Sequence, residues 1–132
     1  MRFLPKLPRI GLELEGRPLR AEIALARSFG ARLRGLMMAA PLKPGQGLLI
    51  APCSSIHMLG MRGPIEAVYL SKDFRVLKIS PPLKPWRSVS ACLGAWGVLE
   101  WRVGEAAHFG LRKGSQLKRI DVVDHPLAGD AK

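Results

Sequence analysis

Ile65-Glu66-Ala67-Val68-Tyr69-Leu70-Ser71-Lys72-Asp73-Phe74-Arg75-Val76-Leu77-Lys78-Ile79 is the stretch that decides the fold. Two apolar runs rich in strand-forming residues flank a polar turn at Ser71-Lys72-Asp73-Phe74. That pattern predicts a β-hairpin. Each run is too short for a helix that buries a face, and the turn residues break any helical spacing.

Toward the N-terminus, Gly47-Leu48-Leu49-Ile50 reads as a short buried strand that ends before Pro52, after a turn at Lys43-Pro44-Gly45-Gln46-Gly47. Leu19, Ala21, Ile23 and Leu25 alternate with polar or small residues and predict a half-buried strand. Between these two strands, Ser28 stands as an N-cap. Phe29, Leu33, Leu36 and Met37 follow at helical spacing, with Arg27, Arg32 and Arg34 off the apolar stripe. This predicts a basic amphipathic helix through Met38, stopped by Pro41. Residues 1–18 read as an N-terminal arm in which Ile10–Gly16 alternates only weakly.

Toward the C-terminus, Pro81-Pro82-Leu83-Lys84-Pro85-Trp86-Arg87 has too few N–H groups for a helix or a central strand, so it predicts an extended surface segment. Ala95–Trp101 reads as a strand and Gly104–Phe109 as a short helix stopped by Gly110. Gln116–Val122 reads as the last strand, and residues 123–132 as a flexible tail. Many short strands with two short helices predict an α+β fold with a small mixed sheet, strongly curved or barrel-like.

A chain of 132 residues with 48% apolar composition is sized for one domain and one core. The net charge is +11, and no Asp or Glu lies between Glu22 and Glu66 or between Asp73 and Glu100. Such a field attracts phosphates, nucleic acid and anionic surfaces. The few aromatic residues do not interleave with the basic ones as a base-stacking platform requires. No apolar run approaches the length of a membrane span, so an integral membrane protein is not expected. Met1–Arg9 carries prolines and repeated charges where a signal peptide needs an apolar core, which predicts a cytoplasmic protein.

Chemistry-bearing residues concentrate in Pro52–Glu66. Cys53 and His57 form a nucleophile–base pair in principle, with Glu66 as a candidate third member. With Cys92 they are also candidate metal ligands, to which Met58 or Met61 can add. The chain has no Cys-x-x-Cys for a closed zinc site and no Asn to orient the imidazole of a thiol hydrolase. The plainer reading of His57 is a hydrogen-bonding residue that pins its loop. Arg62 and Glu66 suit a local ion pair at the mouth of the hairpin, and Glu100 alternates onto the face opposite Leu99.

The chain resembles the DUF192 family of small domains across residues 19–122. The resemblance rests on Arg32-Leu33-Arg34-Gly35-Leu36-Met37, Gly47-Leu48-Leu49-Ile50, Ile56-His57-Met58-Leu59-Gly60-Met61-Arg62-Gly63-Pro64-Ile65-Glu66-Ala67-Val68-Tyr69-Leu70 and Val98-Leu99-Glu100, continuing through Gly104 and Leu111-Arg112-Lys113-Gly114. It implies a compact mixed α/β domain with a barrel-like sheet and no established activity. Met58 stands where the family commonly has Thr, Glu66 where it has Asp, Arg102 where it has Pro and Ser115 where it has Asp. Cys53 and Cys92 match a cysteine pair found in one branch of the family. Their disulfide would close a loop of about 40 residues, worth roughly 3–4 kcal/mol in the chain-entropy account. Two buried free thiols are equally compatible.

Three functional readings follow. The first is a non-enzymatic binding or accessory domain without a cofactor. Its pocket lies near residues 53–66 and 86–92, and His57, Arg62, Glu66, Trp86, Arg87 and Glu100 contact an anionic ligand or a protein partner. The second is a hydrolase or redox enzyme that uses Cys53 and His57. The third is a basic nucleic-acid-binding protein.

Overall fold

The structure is a computed structural model and describes residues 3–35 and 41–122. In chain order the elements are β1 (Arg9–Leu14), β2 (Arg17–Pro18), β3 (Glu22–Ala26), α1 (Phe29–Arg34), β4 (Gln46–Ile50), β5 (Ser55–His57), β6 (Glu66–Leu70), β7 (Val76–Ile79), β8 (Val89–Ala91), β9 (Gly97–Trp101), α2 (Glu105–His108) and β10 (Leu117–Ile120). The α+β class and the two short helices are as the sequence predicts. The expected continuation of α1 through Met38 and the tail over 123–132 lie outside the described residues.

The main sheet runs β10-β1-β3-β4-β9-β6-β7, with β2 paired to β1. Only β3 and β4 pair in parallel, because α1 lies between them and carries the chain back. Every other ladder in the main sheet is antiparallel. The edges approach each other at one end. Arg75 bridges Gln116, and the Val76 N–H donates to Ser115 O at 2.8 Å. The sheet is therefore curled into a half-barrel.

β6 and β9 are buried at every position. Both faces of the sheet are covered, which explains why these strands read as nearly continuous apolar runs rather than alternating ones. The inner face gathers Leu12, Ile23, Leu49, Val68, Leu70, Leu99 and Trp101 into one cluster. The outer face gathers Leu48, Ile50, Ala67, Tyr69 and Val98 into a second. Loop residues Met58, Met61, Ile65 and Leu83 cover the second cluster.

Two segments differ from the sequence reading. Residues 9–14 lie in the stretch expected to be an arm, yet β1 sits within the sheet between β10 and β3. Ile10, Leu12 and Leu14 alternate into the core there. The expected loop over 51–64 contains β5, which pairs with β8 as a separate two-stranded sheet, hereafter the flap. Its register pairs Ser55 with Ala91, Ile56 with Ser90 and His57 with Val89.

Candidate functional site

The flap joins the two segments that the sequence places around a pocket, residues 53–66 and 86–92. Beyond the ladder, the Cys92 N–H donates to Ser54 O at 2.9 Å, and the Met58 N–H to Ser88 O at 3.0 Å. The flap alternates as strands do. Ile56 and Cys92 pack toward the outer cluster of the main sheet, while Ser55, His57, Val89 and Ala91 are exposed. The Tyr69 hydroxyl, rising from β6, meets Ser90 Oγ of the flap at 2.9 Å.

Beneath this cover sits Glu100. In β9 it stands opposite Ala67 of β6 and Leu48 of β4, both fully buried. Glu100 itself is only 3% exposed, and its Oε1 has no hydrogen-bond partner among the described residues. Burial pushes its carboxyl up to about 8, so at neutral pH it is largely protonated. Gly35, which caps α1, lies over it: a Cβ at that position would fall 3.9 Å from Glu100 Oε1. Arg32 of α1 reaches Pro52 O with one terminal nitrogen at 3.2 Å, while its buried Nε has no partner among the described residues.

Cys53 lies between these groups electrostatically. Its thiol donates to Ser55 O at 3.0 Å. Burial raises its pKa. Hydrogen bonding with the Ser55 backbone in the thiolate form works against that rise, the Glu100 charge adds to it and the Arg32 charge subtracts. The Tyr69 hydroxyl is also raised, mainly by burial, with the Ser90 bond opposing and the charges of Cys53, Glu100 and Cys92 adding. Tyr69, Cys53, Cys92, Ser90 and Glu100 thus form one electrostatic neighbourhood.

The other sequence candidates lie elsewhere. His57 is exposed, and its Nδ1 accepts from the Leu59 N–H at 3.2 Å. Among the described residues no hydrogen bond joins it to Cys53, so the thiol–imidazole pair is not assembled. Cys53 and Cys92 are both free thiols. Among the described residues, no three His, Cys, Asp or Glu side chains come together to hold a metal. Arg62, Trp86 and Arg87 are exposed on the flap side.

Glu66 is on the wrong face for the role expected of it. It shares the phase of Val68 and Leu70 and points to the inner cluster. Its Oε2 accepts from Trp101 Nε1 at 2.9 Å and from the Ala106 N–H at 3.0 Å, and its Oε1 from the Gly104 N–H at 3.3 Å. It ties β9 to α2. The expected ion pair with Arg62 is absent: among the described residues the one salt bridge joins Arg9 to Glu22 at 2.9 Å. Sequence reasoning missed Tyr69, Ser90 and Arg32. For Tyr69 the signal was available, because strand alternation sets it with Ala67 on the face opposite Val68.

A half-barrel sheet capped by a two-stranded flap, with a buried carboxyl between them, defines a class of small α+β domain. The chain belongs to the DUF192 family, described as an uncharacterized ACR, whose pattern matches residues 11–119. Two solved structures share the fold. One is a proposed transcription regulator from Sinorhizobium meliloti, with TM-score 0.76, 20% identity and coverage of 86% of this chain and 95% of that one. The other is a protein of unknown function from Novosphingobium aromaticivorans, with TM-score 0.72, 21% identity and coverage of 85% of this chain and 84% of that one. No curated protein matches the chain. Among the described residues no helix is long and apolar enough to cross a membrane.

Proposed function

We propose that this chain is a non-enzymatic binding domain whose ligand reaches Glu100 beneath the flap. The observation that carries the reading is the Glu100 oxygen that finds no hydrogen-bond partner among the described residues, inside an otherwise apolar layer. A buried polar atom without a partner costs about 1–3 kcal/mol. A Leu or Met between Leu48 and Ala67 would avoid that cost. A side chain that lowers stability and makes no hydrogen bond to a described residue through that oxygen fits a role toward something outside the chain.

The chemistry favours a small anionic ligand. A neutral carboxyl donates an O–H. The Arg32 Nε–H is a second donor with no partner among the described residues, and the guanidinium carries positive charge. Together they suit a carboxylate or another oxyanion. An enzyme reading gains no support from Cys53, whose thiol is held neutral, nor from His57, which faces solvent. A nucleic-acid role rests on net charge alone; the likeness to a proposed transcription regulator at 20% identity concerns the fold.

Thermal unfolding of the intact chain and of Glu100→Leu, with and without acetate, succinate, citrate or phosphate, tests the proposal. Glu100→Leu is expected to unfold at a higher temperature without ligand and to lose any anion-dependent gain seen in the wild type. A large fall in stability on this substitution would make Glu100 structural and end the reading.

A further inference from the structure

The opposite side of the flap carries a separate feature, independent of Glu100. Leu59, Trp86, Val89 and Leu93 are four of the large apolar side chains exposed among the described residues. All four belong to the flap or its turns. Val89 stands opposite His57 on the outward face and is 78% exposed. Trp86 and Leu59 share one end, where the Trp86 N–H donates to Met58 O at 2.7 Å. Leu93 is wholly exposed at the other end, in the turn closed by the Ala95 N–H on Cys92 O at 3.1 Å. From Val89 to Leu93 this edge runs about 13 Å at strand rise.

The charge on these segments has one sign. Residues 51–65 and 81–99 contain Arg62, Lys84 and Arg87 but no Asp or Glu. All three cations are exposed. We infer that the outer face of the flap docks on an anionic lipid surface, with Leu59, Trp86, Val89 and Leu93 entering the interface and Arg62, Lys84 and Arg87 meeting the headgroups. An indole and isolated aliphatic tips flanked by cations match the two layers of a membrane interface, apolar below and negative above. A second copy of the chain would bring the same cations face to face. A nucleic acid would take the cations but offers nothing to Val89 and Leu93.

The test is co-sedimentation of the full chain with phosphatidylcholine vesicles, with and without about 30% phosphatidylserine. Binding to the anionic vesicles and not to the neutral ones is expected. Val89→Ser/Leu93→Ser and Lys84→Gln/Arg87→Gln are each expected to weaken it by about tenfold or more. These are exposed positions, and unchanged thermal unfolding will show that the variants are folded. A second readout is tryptophan emission. Trp101 is fully buried and Trp96 packs on Phe74 at 5.5 Å, so a blue shift with anionic vesicles reports Trp86 and should vanish in Trp86→Phe. No binding to anionic vesicles would overturn the inference. So would full binding by Val89→Ser/Leu93→Ser, which would assign the attraction to net charge elsewhere. Flap-dependent binding to polyglutamate with none to vesicles would replace the membrane with an acidic protein partner.

Discussion

Glu66 and Trp101 stand opposite each other in the β6–β9 ladder, and the Trp101 indole N–H donates to Glu66 Oε2 at 2.9 Å. The same carboxylate accepts from the Gly104 and Ala106 N–H groups, where α2 begins. One side chain therefore satisfies a core indole and the start of a helix that has no side-chain cap of its own. Glu66→Ala would leave these donors unpaired in the core. The expected cost is about 3 kcal/mol or more in urea unfolding, because each buried orphan donor costs about 1–3 kcal/mol. Glu66→Gln should cost less, since its amide oxygen still accepts from one or two of them. A Glu66→Ala chain as stable as the wild type would show that the network is not needed.

Glu100 gives stability a pH dependence of definite sign. Its carboxyl has an ordinary value of 4.5 and is raised to about 8 in the folded chain. Between those values the folded chain holds a proton that the unfolded chain has released. Stability is therefore greatest at the acid end of that window, falls as pH rises, and levels off above about 8. The slope approaches at most about 1.4 kcal/mol per pH unit. Glu100→Gln should remove this component and leave the rest of the profile in place. Urea unfolding of both chains from pH 5 to 8 makes the comparison; parallel profiles would mean that Glu100 is ionised when folded.

The hairpin was legible because β6 and β7 are apolar runs around a polar turn, and both elements need only their neighbours to be recognised. The flap was not. β5 and β8 are three residues each, half exposed, and far apart in sequence. Nothing local in Ser55-Ile56-His57 distinguishes it from a loop. β1 was obscured in a different way: Gly11 and Glu13 interrupt its apolar character, and its place is decided by the partners on its two sides, β3 and β10, the second of them encoded about 100 residues later. The two carboxylates show what alternation can and cannot supply. Phase alone separates Glu66 from Glu100, one with Val68 and the other with Val98. What phase does not tell is which face holds hydrogen-bond donors. Those come to Glu66 from Trp101 and from the start of α2, an element encoded after β9, while Glu100 Oε1 meets no donor among the described residues.

Cys53 is expected to be a slow thiol. Burial is the largest influence on it and raises its pKa, so less thiolate is present at neutral pH than in an exposed cysteine. Iodoacetamide at pH 7 should modify Cys53 several-fold more slowly than it modifies glutathione, and unfolding in urea should abolish the difference. Peptide mapping separates Cys53 from Cys92. Alkylation faster than that of a free thiol would contradict the burial argument and bring back a catalytic role for this residue.

Gly11 marks where β10 can join the sheet. It pairs with Ile120, and a Cβ added there would lie 2.8 Å from the Asp121 carbonyl oxygen and 3.0 Å from the Ile120 side chain. Backbone that close cannot be relieved by a rotamer change, so Gly11→Ala must push the two strands apart. Overpacking of this kind typically costs about 1–3 kcal/mol. The damage should be local, because β10 is an edge strand and the buried ladders of β4, β9 and β6 lie further along the sheet. Hydrogen exchange in Gly11→Ala should accelerate at the β10 amides from Leu117 to Ile120 while β6 and β9 keep their protection. Equal acceleration in all three strands would mean that β10 unfolds only together with the whole half-barrel, and that the contact at Gly11 governs the entire fold rather than its edge.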